Sequence, residues 1–100
     1  MKGSTPTRAS PAAPTLPTLI IAGHAATLEW TPPASAQRYT AQLRHDTTGL
    51  LETKGFDAPM ADTTFAFVTV TGQSYSGRVR AYVENEPGPW TAWATDEDPG

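Results

Sequence analysis

The chain has 100 residues, near the usual size of one domain, and a net charge of −3 from 7 basic and 10 acidic residues. Its basic residues are scattered along the sequence, which argues against a nucleic-acid partner and against binding to or insertion in a membrane. The sequence contains no Cys, which excludes disulfides, thiolate metal sites and cysteine nucleophiles.

The first eighteen residues are rich in Pro, Thr and Ala, with prolines at Pro6, Pro11, Pro14 and Pro17. Proline lacks a backbone N–H, and the segment has little apolar area to offset the entropy lost on ordering. We therefore predict an extended N-terminal arm over 1–18, one domain over 19–95 and an acidic, solvated tail over 96–100. Such an arm can dock on another subunit or connect to a further domain.

No secretory signal is visible near the start of the sequence. The longest apolar run there, residues 19–22, is shorter than the about 7–15 residues of a signal peptide core or the about 20 of a membrane span. If Met1 is the natural start, we expect the chain to be made in the host cytoplasm and not to be exported by that route.

From Leu19 onward, apolar and polar residues alternate as in β-strands, and no window has the 3.6-residue apolar stripe of a helix. The predicted strands cover residues 19–22, 26–30, 39–43, 50–56, 65–70, 75–83 and 90–95. Turns are predicted at 47–49, 71–73 and 86–89. This pattern predicts an all-β fold, a seven-stranded antiparallel sandwich of two sheets.

The order of these elements resembles that of a fibronectin type III domain. Trp30, followed by two prolines and then Tyr39, is similar to the family's second-strand tryptophan, Pro-rich loop and third strand. Tyr75 is similar to its corner tyrosine, and its fifth strand resembles the stretch with Phe65, Phe67 and Val70. The resemblance implies an immunoglobulin-like sandwich in which the Tyr75 hydroxyl bonds a backbone group upstream. The residues predicted to face inward are Leu28, Trp30, Tyr39, Leu43, Phe67, Val70 and Val79, and Gly77 is predicted to leave room for Trp30.

The segment Trp90-Thr-Ala-Trp93-Ala resembles the Trp-Ser-x-Trp-Ser motif of cytokine-receptor fibronectin domains, in which tryptophan rings stack with arginines of the neighbouring strand. Strand alternation directs Arg78 and Arg80 outward, so we predict that they stack with Trp90 and Trp93. Two interpretations remain open, structural reinforcement of this face and an aromatic patch for a partner chain or a sugar.

The loop with Glu84, Glu86 and Pro87 is a further candidate, because loops at the end of a sandwich commonly carry binding. The candidate partner-binding residues are Pro6, Pro11, Pro14, Pro17, Glu84, Glu86, Pro87, Trp90, Trp93, Arg78 and Arg80. His24 and His45 have no neighbours at metal-ligand spacing, and no catalytic constellation is visible. We therefore predict no metal, no cofactor and no enzymatic activity.

The sequence thus favours a non-catalytic structural and adhesive binding module. The small size, the arm and the lack of a signal favour a virion component, of a bacteriophage tail or capsid, held to protein subunits through the arm. The alternative is an accessory fibronectin type III domain of a secreted bacterial carbohydrate-active enzyme, with 1–18 as an interdomain linker. A receptor or matrix module is disfavoured, because Pro87 occupies the Ser/Thr position of a glycosylation sequon at Asn85.

Overall fold

The computed structural model describes residues 12–66 and 68–99, and within them it contains eight β-strands and no helix. In this part of the chain there is accordingly no helix with the length and apolar character to cross a membrane. The strands are β1 (Thr15–Ala22), β2 (Ala25–Thr31), β3 (Arg38–His45), β4 (Leu51–Asp57), β5 (Asp62–Ala66), β6 (Ser74–Val83), β7 (Glu86–Pro87) and β8 (Ala94–Glu97).

The strands form two antiparallel sheets packed face to face. The smaller sheet has the order β1-β2-β5, and the larger has the order β4-β3-β6, with β7 and β8 both paired to the remaining edge of β6. The predicted all-β, two-sheet sandwich is therefore confirmed. It has eight strands rather than seven, because β7 and β8 pair with opposite ends of β6 and residues 88–93 lie between them.

The interior is built around Trp30, whose ring centroid lies 5.3 Å from that of Tyr39 and 5.5 Å from that of Phe56. The buried apolar side chains are Leu19, Ile21, Ala26, Leu28, Trp30, Tyr39, Ala41, Leu43, Phe65, Tyr75, Val79 and Ala81. Along β2 and β3 they alternate with exposed or half-buried positions, as expected for strands with one buried face. In β6 the outward-facing Ser76 is buried as well.

Two interior expectations need correction. Val70 is 56% exposed rather than buried, because β5 ends at Ala66 and the chain has left the sheet before it reaches Val70. Gly77 makes room for Leu28 rather than for Trp30, since a Cβ at Gly77 would lie 3.2 Å from the Leu28 Cδ1. The predicted interior residue Phe67 lies outside the described residues.

The corner tyrosine adopts the predicted geometry. The Tyr75 hydroxyl donates to the carbonyl oxygen of Val68 at 3.2 Å and accepts from the backbone N–H of Val70 at 2.7 Å. These bonds tie the segment that follows β5 to the start of β6, and the upstream backbone bond predicted for Tyr75 is confirmed.

The turn predicted at residues 86–89 lies earlier in the chain. Glu84 and Asn85 form the turn between β6 and β7, with φ of 49° and 68°, and Glu86–Pro87 is already strand. Two consecutive residues with positive φ match the right-handed twist of a hairpin, and Asn tolerates that conformation. The turn was predicted too far along the chain because residues 86–89 are rich in Pro and Gly, which are typical of turns.

Glu97 is exposed as expected, but its neighbours Asp96 and Asp98 are not solvated. Asp96 lies in β8, and its Oδ2 accepts a hydrogen bond from the backbone N–H of Ile21 at 2.9 Å. The Asp98 side chain is fully buried, with Oδ2 3.0 Å from the Nδ1 of His24. These carboxylates join the end of the chain to β1 and to the β1–β2 turn, across the gap between the two sheets.

Candidate functional site: the arginine–tryptophan face

The outer surface of the larger sheet brings together four arginines, two tryptophans and a tyrosine. Tyr39, Ala41 and Leu43 of β3 point inward, and the inward positions of β6 begin at Tyr75. Alternation therefore directs the intervening residues of both strands outward. We call the surface formed by Arg38, Gln42, Arg44, Arg78, Arg80, Tyr82, Trp90 and Trp93 the arginine–tryptophan face.

The arginines and tryptophans alternate in a continuous stack. The guanidinium carbon of Arg44 lies 4.2 Å from the ring centroid of Trp93, and that of Arg78 lies 4.4 Å from the same ring. Arg78 is also 4.2 Å from the Trp90 centroid, and Arg80 is 4.8 Å from it. The predicted stacking of Arg78 and Arg80 with Trp90 and Trp93 is thus present, and each indole contacts two guanidinium groups.

The stack continues beyond the predicted residues. The guanidinium carbon of Arg80 lies 5.9 Å from the ring centroid of Tyr82. That of Arg38, which is opposite Tyr82 on β3, lies 4.5 Å from the same centroid. Cation–π contacts contribute about 0.5–1 kcal/mol at exposed sites and about 2 kcal/mol when desolvated. A row of such contacts holds long side chains in one arrangement.

Hydrogen bonds fix two of the guanidinium groups. Arg78 donates from Nε at 3.0 Å and from Nη2 at 2.9 Å to the side-chain oxygen of Gln42, and Arg80 donates from Nε to the carbonyl oxygen of Gly88 at 2.9 Å. Partial burial lowers the pKa of Arg78, and the positive charges of Arg80 and Arg44 lower it further. Guanidinium groups nevertheless stay protonated in proteins, so the face keeps its positive charge.

An irregular segment between β7 and β8 positions both tryptophans. The Thr91 N–H donates to the Val79 carbonyl at 2.9 Å, while the Val79 N–H donates to the Thr91 hydroxyl oxygen at 3.1 Å. A side chain thus takes the place that a backbone carbonyl would have in a regular ladder. Residues three apart point to opposite faces of a regular strand, and this irregularity allows Trp90 and Trp93 to lie on the same face.

Asp46 closes one end of the row. Its carboxylate accepts hydrogen bonds from Arg44 Nε at 3.2 Å and from the hydroxyls of Ser74 and Ser76, each at 2.9 Å. Partial burial raises the pKa of Asp46, but the hydrogen bonds from Ser74, Ser76 and Arg44 lower it more, and the net shift is downward. Within the described residues, Asp46 is the one carboxylate within salt-bridge distance of the face's arginines.

The remaining candidates that the structure describes lie at one end of the sandwich. Glu84 is in the β6–β7 turn, and Glu86 and Pro87 form β7, next to the end of the row at Tyr82. Pro17 lies in β1, and Pro14 is buried just before it. Thr15 of β1 pairs with Thr31 at the end of β2, which leads to β3, so the junction of the arm shares this end. Pro6 and Pro11 lie outside the described residues.

Sequence reasoning missed Arg38, Gln42, Arg44 and Tyr82. A usable signal was present, because inward Tyr39, Ala41 and Leu43 already imply that the residues between and beside them point outward. The pairing of β3 with β6 then places Arg44 opposite Ser76 and Arg38 opposite Tyr82. Four of the basic residues that look scattered in sequence are therefore gathered on one face by strand pairing.

The histidines lie in separate surroundings. His24, in the β1–β2 turn, faces Asp98, whereas His45 stacks on Tyr75 with ring centroids 4.9 Å apart and contacts Thr48 and Gln73. The described residues contain no group of three or more His, Cys, Asp or Glu side chains that could hold a metal ion.

Solved structures share this architecture at low sequence identity. A myokine superposes with a TM-score of 0.81 at 14% identity, over 91% of this chain and 100% of the other. An Fn3-like protein from Clostridium thermocellum gives 0.74 at 22% identity, over 92% and 97% of the two chains. A segment of two fibronectin type III domains from chicken tenascin gives 0.77 at 19% identity, over 88% of this chain and 50% of the segment.

The sequence matches no family model, and it has no match among curated proteins. The structural likenesses therefore define the fold, which is that of a fibronectin type III domain.

Proposed function

We propose that this chain is a non-catalytic structural and adhesive module whose working surface is the arginine–tryptophan face. The continuous stack of Arg44, Trp93, Arg78, Trp90 and Arg80 is the observation that carries the proposal. Arg, Trp and Tyr are the residues most enriched at the energetic centres of protein interfaces. Side chains already held in place lose less conformational entropy when a partner binds.

The setting that we propose is a viral particle, in which the module is a bacteriophage tail or capsid component held to neighbouring subunits through its N-terminal arm. Residues 1–11 lie outside the described residues, but the arm joins the domain at Thr15 in β1, an edge strand of the smaller sheet. The strand into which the arm continues and the arginine–tryptophan face thus belong to different sheets. This arrangement supports a module that contacts two neighbours, because two linked attachments bind more firmly than either one alone.

The alternative setting, a module of a secreted carbohydrate-active enzyme, has less support from the site. Sugar rings bind by lying on the open face of an aromatic ring. Trp93 already contacts Arg44 and Arg78, and Trp90 already contacts Arg78 and Arg80. A sugar would have to displace guanidinium groups that Gln42 and Gly88 hold by hydrogen bonds, so we favour a protein partner.

Particle assembly in the host that carries the gene tests this proposal. The full chain should sediment with purified particles in a density gradient, and a chain lacking residues 1–12 should remain with the soluble proteins. This truncation spares buried Pro14 and all of β1. A matched variant, with a Gly/Ser segment of equal length in place of residues 1–12, separates the role of the arm's composition from that of its length.

Absence of the full chain from the particles, or full incorporation of both arm variants, would overturn the proposal. A reading frame that continues from this domain into a glycoside hydrolase would favour the alternative setting.

A further inference from the structure

The four arginines of the arginine–tryptophan face form a positively charged row on an acidic protein. The chain has 7 basic and 10 acidic residues, so placing four arginines on one face leaves three basic residues for the rest of the molecule. Among the described residues, Arg44 alone of the four has a carboxylate within salt-bridge distance. The face therefore differs in charge from the rest of the surface.

The row also has a regular spacing. Arg78 and Arg80 occupy successive outward positions of β6, while Arg44 lies opposite Ser76 and Arg38 lies opposite Tyr82. The Cα atoms of the four arginines thus lie at four successive outward levels of one strand pair. Outward levels are about 6.7 Å apart, so the row is about 20 Å long.

An extended peptide laid along this row would present its own side chains at the same interval. Every second residue of a β-conformation peptide faces the same side, and the step between these residues is again about 6.7 Å. Acidic residues at alternate positions would each meet one arginine. The match fails for a peptide whose acidic residues are contiguous, because half of them point away from the face.

Guanidinium chemistry favours carboxylates as the partner groups. Each guanidinium has five N–H donors in a fixed fork that matches a carboxylate with two parallel hydrogen bonds. The described hydrogen bonds use Nε and Nη2 of Arg78 and Nε of Arg80 and Arg44, so each retains donors for a partner. The one described lysine, Lys54, donates to the carbonyl of Thr64 on the smaller sheet and takes no part in the row.

We propose that the arginine–tryptophan face binds an extended acidic segment of a partner protein, with Asp or Glu at alternate positions. The inference rests on the proposed function in taking this face as the working surface, and it adds the chemistry of the partner. Sulfated polysaccharide and single-stranded nucleic acid carry the same sign of charge, but mainly on sulfate and phosphate groups rather than on carboxylates.

Peptide binding to the full chain tests the inference. The probe is a fluorescent peptide of about eight residues in which Glu alternates with Thr, and its matched control has the same composition with all Glu residues contiguous. Fluorescence anisotropy should show at least about tenfold tighter binding of the alternating peptide, with affinity falling as salt is raised. Heparin oligosaccharide and oligo-dT are tested as competitors.

Variants locate the binding site. The double variant R38Q/R80Q should weaken binding of the alternating peptide at least about tenfold, whereas K54Q, which removes a positive charge elsewhere, should change it less than about twofold. Far-ultraviolet circular dichroism checks that each variant is folded. T40E keeps every arginine and places a negative charge opposite Arg80, so it should weaken binding even if the double variant fails to fold.

Equal affinity for the two peptides, tighter binding of heparin or oligo-dT, or an equal effect of K54Q would overturn the inference. Its failure is distinguishable from that of the proposed function. If the peptides bind equally but the full chain sediments with particles through its arm, the proposed function stands and the acidic partner is wrong. If the alternating peptide is preferred but the chain is absent from particles, the virion setting is wrong and the face chemistry stands.

Discussion

The side-chain oxygen of Gln42 accepts two hydrogen bonds from Arg78, at 3.0 Å from Nε and 2.9 Å from Nη2. The two residues lie opposite each other on β3 and β6, the central strands of the larger sheet. Gln42 therefore fixes the guanidinium group that, among the described arginines, contacts both Trp90 and Trp93. A side chain with about 2 kcal/mol of rotamer entropy is held in place before any partner arrives.

We predict that Q42A lowers the free energy of unfolding by about 1–2 kcal/mol. Hydrogen bonds to charged groups contribute about 1.5–3 kcal/mol, and the half-exposed site reduces this value. Urea denaturation measures the change. T40A, on the same face of β3, is the control and should change stability by less than about 0.5 kcal/mol, because the Thr40 hydroxyl makes no hydrogen bond within the described residues. Equal losses in the two variants would contradict the anchoring role of Gln42.

The Thr91 hydroxyl should stabilise the fold, because it accepts the hydrogen bond of the Val79 N–H in place of a backbone carbonyl. T91V keeps the shape of the side chain but leaves the buried Val79 N–H without an acceptor, which should cost about 1–3 kcal/mol. T91S retains the hydroxyl and should lose less. Thermal unfolding followed by circular dichroism should place T91V well below T91S, and the opposite order would show that the methyl group, not the hydroxyl, stabilises this segment.

Trp30 should be the most sensitive core position. It is 5% exposed and packs against Tyr39 and Phe56, so W30A removes a large buried ring and should cost about 3–5 kcal/mol. That is much of the total stability of about 5–15 kcal/mol for such a domain. L16A, at a residue that is 77% exposed, is the control. A cooperative transition for W30A at the wild-type midpoint would be incompatible with this packing.

Asp46 should contribute to the loss of unfolding free energy at acidic pH. Burial raises its pKa, but hydrogen bonds from Ser74, Ser76 and Arg44 lower it to a net value below the usual one. A depressed folded-state pKa stabilises the fold above the unfolded-state value of about 3.9, and this contribution is lost as the pH falls through the folded-state value.

D46N should therefore lose less unfolding free energy than the wild type as the pH falls from about 5 to about 3. S76A, which removes one of the hydrogen bonds, should raise the Asp46 pKa in a carbon-detected NMR titration of the carboxyl group. Superimposable acid limbs for the wild type and D46N, together with an unchanged pKa in S76A, would contradict this account.

Much of the fold follows from the sequence, because alternation marks each strand with one buried face. The alternating strands predicted two sheets, and the resemblance that Trp30, Tyr39 and Tyr75 carry implied the hydrogen bond of the corner tyrosine. Val70 was misplaced because β-branched residues favour strands locally, whereas the end of β5 is set by its pairing with β2, which local preference does not encode.

The site was only partly predictable for a related reason. Arg78 and Trp90 could be matched because the motif that residues 90–94 resemble stacks its tryptophans with arginines of the neighbouring strand. Arg38 and Arg44 joined them only through the register of β3 against β6, a long-range property that the sequence alone did not specify. Asp98 was expected in solvent, because a terminal acidic stretch gives no local sign of a buried partner such as His24.

We propose that the module binds its partner through the outer face of the larger sheet. Photo-cross-linking in assembled particles tests it, with a benzophenone amino acid at Thr40 on that face or at Thr27 on the outer face of the smaller sheet. The account predicts a cross-link to a neighbouring subunit from position 40 and none from position 27. Cross-linking from position 27 alone would contradict it.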